Sequence, residues 1–359
     1  MQPQIVVLLS GGLDSLLTSK LLQRQGLAVR CLHFVSPFFG SAAKAALWRE
    51  WHGLDIDAVD IGEEYVRLLQ RGPVHGFGKV LNPCVDCKIF LLSSAKAYME
   101  KVGAKAIATG EVLGQRPMSQ RRDSMDLILK EAGVKGALLR PLCAKLLPPT
   151  PMETEGLVDR ERLLDITGRS RKRQLALAEE FGLTHIPSPA GGCKLTERER
   201  VRRYWPILVQ GNATVADFAI VDHGRQLRDE EGRLLVIGRN QEGNDRIAAA
   251  RRDGDVLLEL EDVPGPAALA RLGETWPEEV MEDACAMTAS FSPKAVAMDR
   301  PVMVRRAGSG EATLAPVLPK RITRFREPPS FKDTREAIRE WQAASEGAQT
   351  KTSWSVGKG

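Results

Sequence analysis

Cysteine is scarce in this sequence, and long apolar runs are missing from it. Six cysteines in 359 residues are too few for the disulfide framework of a small secreted protein. No apolar run approaches the roughly 20 residues that a membrane-spanning helix needs. The chain also begins without the basic region and cleavage site of a signal peptide. We therefore expect a cytoplasmic protein whose thiols stay reduced.

The basic residues are distributed unevenly, although the net charge is only +5. Residues 300–326 hold seven basic residues and one acidic residue, Glu311. Two further basic clusters lie at 169–173 and 198–203. Each cluster alone is typical of a solvated surface. Together they favour a polyanionic partner such as RNA.

Short apolar runs alternate with helical patterns over the first part of the chain. This alternation predicts an α/β fold, with a parallel sheet covered by helices on both faces. The predicted strands are 4–10, 29–35, 56–61, 104–109 and 137–142.

The pattern changes near Trp205, where short apolar runs bounded by Gly, Asp and Pro begin. These runs predict a smaller α+β domain after the parallel-sheet domain. We expect domains at 1–195 and 207–326, then a segment 327–359 with a helix at Thr334–Ala344 and a disordered tail from Glu346. The strands predicted in the second domain are Phe218–Val221, Leu234–Ile237, Val256–Leu260 and Pro301–Val304.

The segment Ser10–Ser15 (SGGLDS) directly follows the first apolar run and precedes a leucine-rich helical pattern. A Gly-rich turn at that place points backbone N–H groups outward at the positive end of a helix, which suits phosphate. Gly11 and Gly12 let the backbone approach an anion, and Ser10 and Ser15 add hydroxyl donors. The segment lacks the lysine of the GxxxxGK[ST] loop. The alternative is a strand-to-helix turn without a ligand.

Three cysteines form a pattern of their own. Cys84 and Cys87 make a CxxC at the start of a helical pattern, and Cys193 follows about a hundred residues later after two glycines. A helix start lowers the pKa of a thiol and favours the thiolate. Thiolates bind a soft metal or cluster, or carry sulfur as a persulfide. The other cysteines are predicted to be buried and inert: Cys31, Cys143 and Cys285.

Further candidate residues lie where predicted strands end. Thr109 and Gly110 close the fourth run, and His33 and Phe34 close the second. Ligands of parallel sheets bind outside the carboxyl ends of the strands. Thr109 and Gly110 should therefore share an edge with the SGGLDS loop. His33 and Phe34 either border an adenine or pack at the strand end.

The motifs together resemble a known enzyme family. SGG-x-DS resembles the PP-loop of ATP pyrophosphatases, which adenylate a substrate and release pyrophosphate. Residues 109–120 (TGEVLGQRPMSQ) are similar to the TGxxxGQxxSQ stretch of tRNA 4-thiouridine synthetases. The NPCVDC and GGC segments are similar to the cysteine motifs of tRNA 2-thiouridylases. The first two-thirds of the chain thus resembles a tRNA thiouridine synthase, with features of both types.

This resemblance implies an ATP-dependent tRNA sulfurtransferase that adenylates a uridine carbonyl oxygen and replaces it with sulfur, forming AMP and pyrophosphate. It implies Mg²⁺ beside the ATP and a sulfide or persulfide carrier protein as sulfur donor. The implied catalytic residues are Asp14, Cys84, Cys87 and Cys193. The implied ATP-binding residues are Ser10, Gly11, Gly12, Leu13, Asp14, Ser15, His33, Phe34, Thr109, Gly110 and Gln115.

Two routes for the sulfur stay open. In the first, Cys84, Cys87 and Cys193 bind three irons of a [4Fe–4S] cluster, and the fourth iron binds sulfide. In the second, one cysteine carries a persulfide and another resolves it as a disulfide. A structural zinc site is a weaker alternative, because no fourth ligand is evident.

The C-terminal part resembles the RNA-binding module of NFACT ribosome-quality-control proteins. Three short stretches occur in the same order: HGRQL at 223–227, VIGRNQEGN at 236–244 and DVPGP at 262–266. The alternative is a basic, strand-rich domain that serves a homodimer or docks a sulfur-relay protein. The residues expected to contact RNA are Arg225, Arg239, Asn240, Arg305, Arg306, Arg321 and Arg324.

Two rival functions are compatible with a PP-loop. Amide-forming and lysidine-type ligases also use this loop, and they do not need the cysteines. A non-catalytic RNA-binding protein with a relic ATP site is the other rival. The intact Asp14 and Ser15 argue against that relic.

Overall fold

The structure, a computed structural model, describes residues 2–186 and 192–349. The chain divides into two compact units, Met1–Thr196 and Glu197–Gly359. Among the described residues, no helix combines the length and apolar character needed to span a membrane.

The first unit is built on a parallel sheet of five strands. They are β1 (Ile5–Leu8), β2 (Val29–Val35), β3 (Ile56–Asp60), β4 (Ala106–Thr109) and β5 (Leu138–Leu139). Their spatial order is β3-β2-β1-β4-β5. Ile5 pairs with Val29 on one side and with Ala106 on the other. The loops after β1 and β4 therefore leave the sheet side by side.

Every strand predicted for the first unit is present. β2 has the predicted bounds, the other strands are shorter, and β5 has only two of the six residues predicted. Central β1 is apolar throughout because helices cover both faces of a parallel sheet. Ile5, Val6 and Val7 are fully buried. The described helices are α1 (Leu13–Gln23), α2 (Ala42–His52), α3 (Gly62–Arg71), α4 (Cys84–Val102), α5 (Arg122–Glu131), α6 (Pro151–Thr154) and α7 (Lys172–Glu180).

The second unit is built on an antiparallel sheet of six strands. They are β6 (Gly224–Arg228), β7 (Leu234–Gly238), β8 (Val256–Leu260), β9 (Ala268–Ala270), β10 (Val302–Ala307) and β11 (Thr313–Val317), in the spatial order β11-β10-β8-β9-β7-β6. Its described helices are α8 (Arg198–Leu208), α9 (Val215–Ala219), α10 (Gln241–Ala249), α11 (Glu278–Ala289), α12 (Pro293–Ala297) and α13 (Phe331–Gln349). The predicted fold class, an α/β domain followed by a smaller α+β domain, is confirmed.

One predicted strand is wrong. Phe218–Val221 lies at the end of α9 and in the 3-10 turn that follows it. A capping box starts this helix, in which the Asp217 carboxylate accepts from the Thr214 amide at 2.9 Å and from its hydroxyl at 2.8 Å. Satisfying these groups favours a helix over a strand.

The last helix is longer than predicted. It covers Phe331–Gln349, where the sequence predicted Thr334–Ala344. Ser330 caps it, because its hydroxyl accepts from the Asp333 amide at 3.3 Å. The helix runs past Glu346, where the predicted disordered tail began, and residues 350–359 lie outside the described part of the chain.

Candidate functional site

The loop Ser10–Ser15 lies between β1 and the start of α1. The Ser15 hydroxyl donates to the Gly12 carbonyl at 2.8 Å and accepts from the Ser10 amide at 3.2 Å. Gly11 has a φ of +78°, and a Cβ there would overlap the ring of Trp48. The loop is therefore shaped by its own hydroxyl groups and by a glycine whose positive φ and contact with Trp48 make any side chain unfavourable there. The Leu13 side chain is buried in the core, which leaves only its backbone for a ligand.

Asp14 is the centre of a small polar network. Its Oδ2 atom accepts from Gln115 Nε2 at 2.8 Å and lies 3.4 Å from Arg171 Nη2. Gln174 Nε2 in turn donates to Gln115 Oε1 at 3.3 Å. Within the described residues, three buried atoms of this network have no hydrogen-bond partner: Asp14 Oδ1, Arg171 Nη1 and Gln174 Oε1. Unused donors and acceptors that lie so close together are what a ligand site requires.

Sequence reasoning missed Arg171 and Gln174 as members of this network. Arg171 was noticed only as part of a basic cluster, and Gln174 was not noticed at all. Both lie about 160 residues from Asp14 along the chain, at the start of α7. No spacing or motif signals a contact over that separation.

The segment 109–120 begins where β4 ends and passes directly over the loop. A Cβ on Gly110 would lie 2.5 Å from backbone atoms of Asp14 and Ser15, so glycine is required for this close approach. Farther along, Met118 Sδ lies 3.5 Å from Asn82 Nδ2, and the same amide nitrogen donates to Cys84 Sγ at 3.1 Å. One short segment thus contacts the loop directly and is linked to Cys84 through Asn82. The shared edge predicted for Thr109 and Gly110 is confirmed.

Glu111 connects the same segment to the cysteine helix by ion pairs. Its carboxylate lies 2.9 Å from Arg140 Nε and 3.4 Å from Lys88 Nζ, and accepts from the Thr109 hydroxyl at 3.2 Å. Burial alone would raise the pKa of Glu111, but the two cations and these hydrogen bonds outweigh it and lower the pKa to about 2. Lys88 directly follows Cys87. The pair with Glu111 therefore fixes the first turn of α4 against β4.

His33 and Phe34 are both buried at the end of β2. His33 Nδ1 donates to the Leu9 carbonyl at 2.7 Å, and Nε2 accepts from the Ser41 amide at 3.0 Å. Burial lowers the pKa of His33, in agreement with a neutral ring. Because both ring nitrogens are used, His33 supports the residue before the loop and the start of α2.

The structure brings the three candidate cysteines together. Leu81 donates its amide to the Leu195 carbonyl at 3.2 Å, which holds the chain before Cys84 beside the chain after Cys193. Cys84, Cys87 and Cys193 interact electrostatically with one another and with the fully buried Tyr65, whose hydroxyl is hydrogen-bonded to Cys87. The motif residues 189–191 before Gly192 lie outside the described residues.

The thiol pKa expected at the start of α4 is wrong. Burial raises the pKa of Cys87 to about 11, although Tyr65 and Lys88 partly oppose it. Burial, with Cys87 and Cys84 nearby, raises the pKa of Cys193 to about 12. Removal from water therefore outweighs the helix dipole here. No group of three or more His, Cys, Asp or Glu side chains within the described ranges is arranged for a single metal ion.

The other cysteines are buried, as predicted. Cys31, Cys143 and Cys285 have no exposed surface. The Cys143 thiol donates to the Glu111 carbonyl at 3.3 Å. The Cys285 sulfur accepts from Arg306 Nε at 3.3 Å.

In the second unit, two arginines lie over an aromatic ring, and two further arginines are linked to them electrostatically. The guanidinium carbons of Arg321 and Arg225 lie 3.4 and 4.7 Å from the centre of the Phe291 ring. Burial first, and then the neighbouring cations Arg239 and Arg321, lower the pKa of Arg225. Arg239 acts in the same way on Arg203. We call Arg203, Arg225, Arg239 and Arg321 the arginine cluster.

The remaining predicted RNA contacts are engaged within the unit. Arg305 lies 3.1 Å from Glu259, Arg306 pairs with Glu278, and Arg324 lies 2.8 Å from Asp283. Asn240 caps α10, where its side-chain oxygen accepts from the Gly243 amide at 2.8 Å. By contrast, no carboxylate among the described residues forms an ion pair with a member of the arginine cluster. Carboxylates act on Arg203 and Arg225 only at longer range.

Comparison with known protein families follows this division. Residues 1–145 match the family model described as Thiamine biosynthesis protein (ThiI), and residues 224–326 match the one described as NFACT protein RNA binding domain. The first part of the chain is thus similar to the ThiI family, and the C-terminal part is similar to the NFACT RNA-binding domain. Both resemblances predicted from the motifs are thereby confirmed. The ThiI match ends before Arg171, Gln174 and Cys193.

The names of curated relatives also refer to sulfur transfer to tRNA. The chain is 29% identical over 170 residues to "Probable tRNA sulfurtransferase" of Brevibacillus brevis, covering 45% of this chain and 39% of the relative. It is 24% identical over 192 residues to "Probable tRNA sulfurtransferase" of Thermococcus kodakarensis, covering 52% and 45%. It is 30% identical over 115 residues to "tRNA-specific 2-thiouridylase MnmA" of Desulfosudis oleivorans, covering 30% and 32%. The chain thus spans less than half the length of these relatives.

Proposed function

We propose that this chain is an ATP-dependent tRNA sulfurtransferase that adenylates a uridine carbonyl oxygen and replaces it with sulfur. The segment 109–120 carries the proposal, because it contacts the loop through Gln115 and reaches Cys84 through Met118 and Asn82. An activated uridine and a sulfur nucleophile can meet along such a segment. The similarity to the ThiI family and to the sulfurtransferase relatives supports the same chemistry.

The phosphates of ATP would lie on the loop Ser10–Ser15, at the N-terminus of α1. Asp14 is suited to Mg²⁺, because its Oδ1 atom is buried without a hydrogen-bond partner among the described residues and carboxylate oxygens are preferred Mg²⁺ ligands. Bound Mg²⁺ would neutralise the departing pyrophosphate. His33 would act only by holding the loop.

The reaction has two steps. The uridine carbonyl oxygen attacks the α-phosphorus of ATP, an O–P bond forms, and pyrophosphate leaves with its bonding electron pair. A sulfur nucleophile then attacks the same ring carbon, and AMP leaves with the former carbonyl oxygen. Arg171, held 3.4 Å from Asp14, would stabilise the negative charge that develops on phosphate. Gln115 would orient the reacting groups.

Cys84, Cys87 and Cys193 would supply the sulfur. Three soft thiolate donors close together fit three irons of a [4Fe–4S] cluster, and the raised thiol pKa values mean that metal binding must displace the protons. Such a cluster, when bound, would offer sulfide at its fourth iron. The same thiols also suit a persulfide route, in which a carrier persulfide transfers its outer sulfur to one cysteine thiolate and leaves as a thiol. After attack on the activated uridine, a second cysteine would release that sulfur by forming a disulfide with the first. Sulfide itself would serve only the cluster route.

The tRNA would be held through the second unit, where the arginine cluster offers cations without ion-paired carboxylates. Guanidinium groups stacked on an aromatic ring are suited to phosphate and base contacts. We propose tRNA as the substrate, and Arg225, Arg239 and Arg321 as its contacts in preference to Arg305, Arg306 and Arg324.

The test is AMP formation by the full chain, incubated anaerobically with ATP, Mg²⁺, sulfide and an unmodified tRNA transcript. We expect AMP only when tRNA is present, and we expect iodoacetamide to stop sulfur incorporation. AMP formation that is unchanged by alkylation of the thiols and requires an amine or carboxylate co-substrate would instead favour a ligase. An iron count and a visible spectrum separate the cluster route from the persulfide route.

A further inference from the structure

A cavity of about 230 Å³ lies in the second unit, beside the hairpin that joins β6 to β7. Its lining combines charged residues with apolar ones such as Ile207, Leu234 and Trp276. The volume is below the roughly 300–1,000 Å³ of typical small-molecule sites, so it admits one functional group with its adjoining atoms. The charged lining residues are Asp217, Arg228, Glu231, Arg233 and Arg271.

Arg228 is a largely buried cation in this lining. The only hydrogen bond of its side chain among the described residues runs from Nη1 to the Gly232 carbonyl at 2.7 Å, and its Nε is buried without a partner. Asp217 and Asp229 act on it only at longer range, and burial lowers its pKa to about 10. A buried charge without an ion-pair partner is costly, and a bound anion would remove that cost.

Arg271 adds further unused donors. Its Nη1 bonds to the Asp255 carboxylate, its Nε lies 3.7 Å from Asp217, and its Nη2 is buried without a partner. The side chain is 9% exposed. Two guanidinium groups therefore line one cavity with N–H groups that the described residues leave unused.

The carboxylates of the lining are occupied by other groups. Asp217 pairs with Arg252 and accepts both the amide and the hydroxyl of Thr214. Glu231 lies 3.4 Å from Arg233. Neither carboxylate is within ion-pair distance of Arg228, so neither satisfies its charge.

We propose that this cavity binds a phosphate group, held by Arg228 and Arg271. A phosphate offers several acceptor oxygens to the unused N–H donors, and charge-assisted bonds from arginine to phosphate are among the strongest available. The phosphate comes either from an RNA strand or from a free phosphate compound. The binding is independent of the proposed sulfur transfer, and the residues involved lie outside the arginine cluster.

The test follows the arginine Nε–H resonances of the full chain in a ¹⁵N NMR titration with inorganic phosphate at constant ionic strength. We expect the Arg228 and Arg271 signals to shift and saturate, with Arg228→Met identifying the first. In Arg228→Met, the phosphate affinity measured from the Arg271 shift should be at least tenfold weaker. Phosphate that binds the Ser10–Ser15 loop does not touch these signals and should persist in the variant.

Arg246→Met is the matched control, because Arg246 is an exposed residue on α10 outside the cavity. Arg228→Lys provides a second variant that keeps the charge. A single-stranded RNA oligomer that competes with phosphate for both signals identifies RNA as the source, and no competition identifies a free phosphate compound. Absence of any shift, or a linear shift of all arginines alike, would overturn the proposal.

Discussion

Asp14 joins the loop Ser10–Ser15 to the rest of the first unit. One of its oxygens accepts from Gln115 and lies near Arg171, while the other is buried without a partner among the described residues. An arginine that rests on a carboxylate can turn to phosphate once a cation takes that carboxylate. The network therefore has the means to respond to ATP.

Replacing Arg171 with alanine should lower tRNA-dependent AMP formation by about two orders of magnitude, the usual effect of losing one donor to developing charge. Arg171→Lys should recover part of the loss because it keeps the charge. Arg173→Ala is the control, since Arg173 pairs at 2.7 Å with the exposed Asp165. Equal losses in Arg171→Ala and Arg173→Ala would refute the role of Arg171.

Glu111 should make the first unit sensitive to acid. Its pKa is about 2 in the folded chain against 4.5 for the free group. The ionised carboxylate stabilises the folded state in full at pH values above the unfolded pKa. This stabilisation is lost as the pH falls from about 4.5 towards 2. Glu111 ionisation therefore contributes about 3 kcal/mol to the free energy of unfolding at neutral pH. Urea unfolding from pH 7 to pH 2 measures it.

Glu111→Gln supplies the comparison for that series. At neutral pH the variant should be less stable by about 3–5 kcal/mol, because it leaves Arg140 buried without its charge partner. Its stability should also fall less steeply between pH 4.5 and pH 2. The same pH dependence in both proteins would show that Glu111 does not cause it.

At the residue scale, the sequence predicted the loop and the cysteines but not their neighbours. The Gly-rich loop and the CxxC are local patterns, and each lies where it was predicted. Arg171 and Gln174 reach Asp14 and Gln115 only through tertiary packing. The expected thiol pKa was wrong for the same reason, because Cys87 is buried by tertiary packing that the local helix start does not reveal.

At the scale of elements, the segment 109–120 connects two functional parts. It crosses the loop at Gly110 and approaches the cysteine helix at Met118. Strand β4 places its start beside β1, since neighbouring parallel strands end at one edge. The order of strands thus positions the chemistry.

Single alanine substitutions of Cys84, Cys87 and Cys193 should each abolish tRNA thiolation and any visible absorption of the anaerobic protein. Cys143→Ala and Cys285→Ala should leave both unchanged, because these thiols are buried away from the other three. Nucleoside analysis and a visible spectrum measure the outcomes. Thiolation by a colourless, iron-free wild type from a persulfide donor would exclude the cluster.

The spacing and length of the apolar runs predicted the strands of the first unit well, because β1 to β4 are short, mostly apolar runs between clear helical patterns. The method failed at Phe218–Val221, where the Thr214 and Asp217 capping box favours a helix. It also missed β6, β9 and β11. Gly224–Arg228 and Thr313–Val317 alternate too weakly, and Ala268–Ala270 is too short.

At the scale of the whole chain, local charge counts overstate the basic surface. Residues 300–326 are strongly basic in sequence, but their arginines pair with acidic residues from elsewhere, such as Glu259 and Asp283. Arg321 is the exception, because it stacks on Phe291 beside Arg225. Of the arginines predicted to contact RNA, only Arg225, Arg239 and Arg321 are therefore left without an ion-paired carboxylate among the described residues.

The double variant Arg225→Gln/Arg321→Gln should weaken tRNA binding and reduce the slope of log K against log salt by about 1.4–1.8, if each arginine contacts one phosphate. The matched double variant Arg305→Gln/Arg324→Gln removes the same charge from ion-paired positions and should change the slope much less. Binding isotherms over a salt series measure both. Identical slopes for the two variants would contradict the arginine cluster as the RNA contact.

We propose that one site consumes ATP in order to put sulfur into tRNA. The most direct measurement is nucleoside mass spectrometry of a tRNA transcript, together with AMP determination, after anaerobic incubation of the full chain with ATP and sulfide. We predict one AMP for each uridine that gains sulfur in place of oxygen. In Asp14→Asn both products should be lost, while the affinity for tRNA stays unchanged. Sulfur incorporation without AMP, or unchanged in Asp14→Asn, would contradict it.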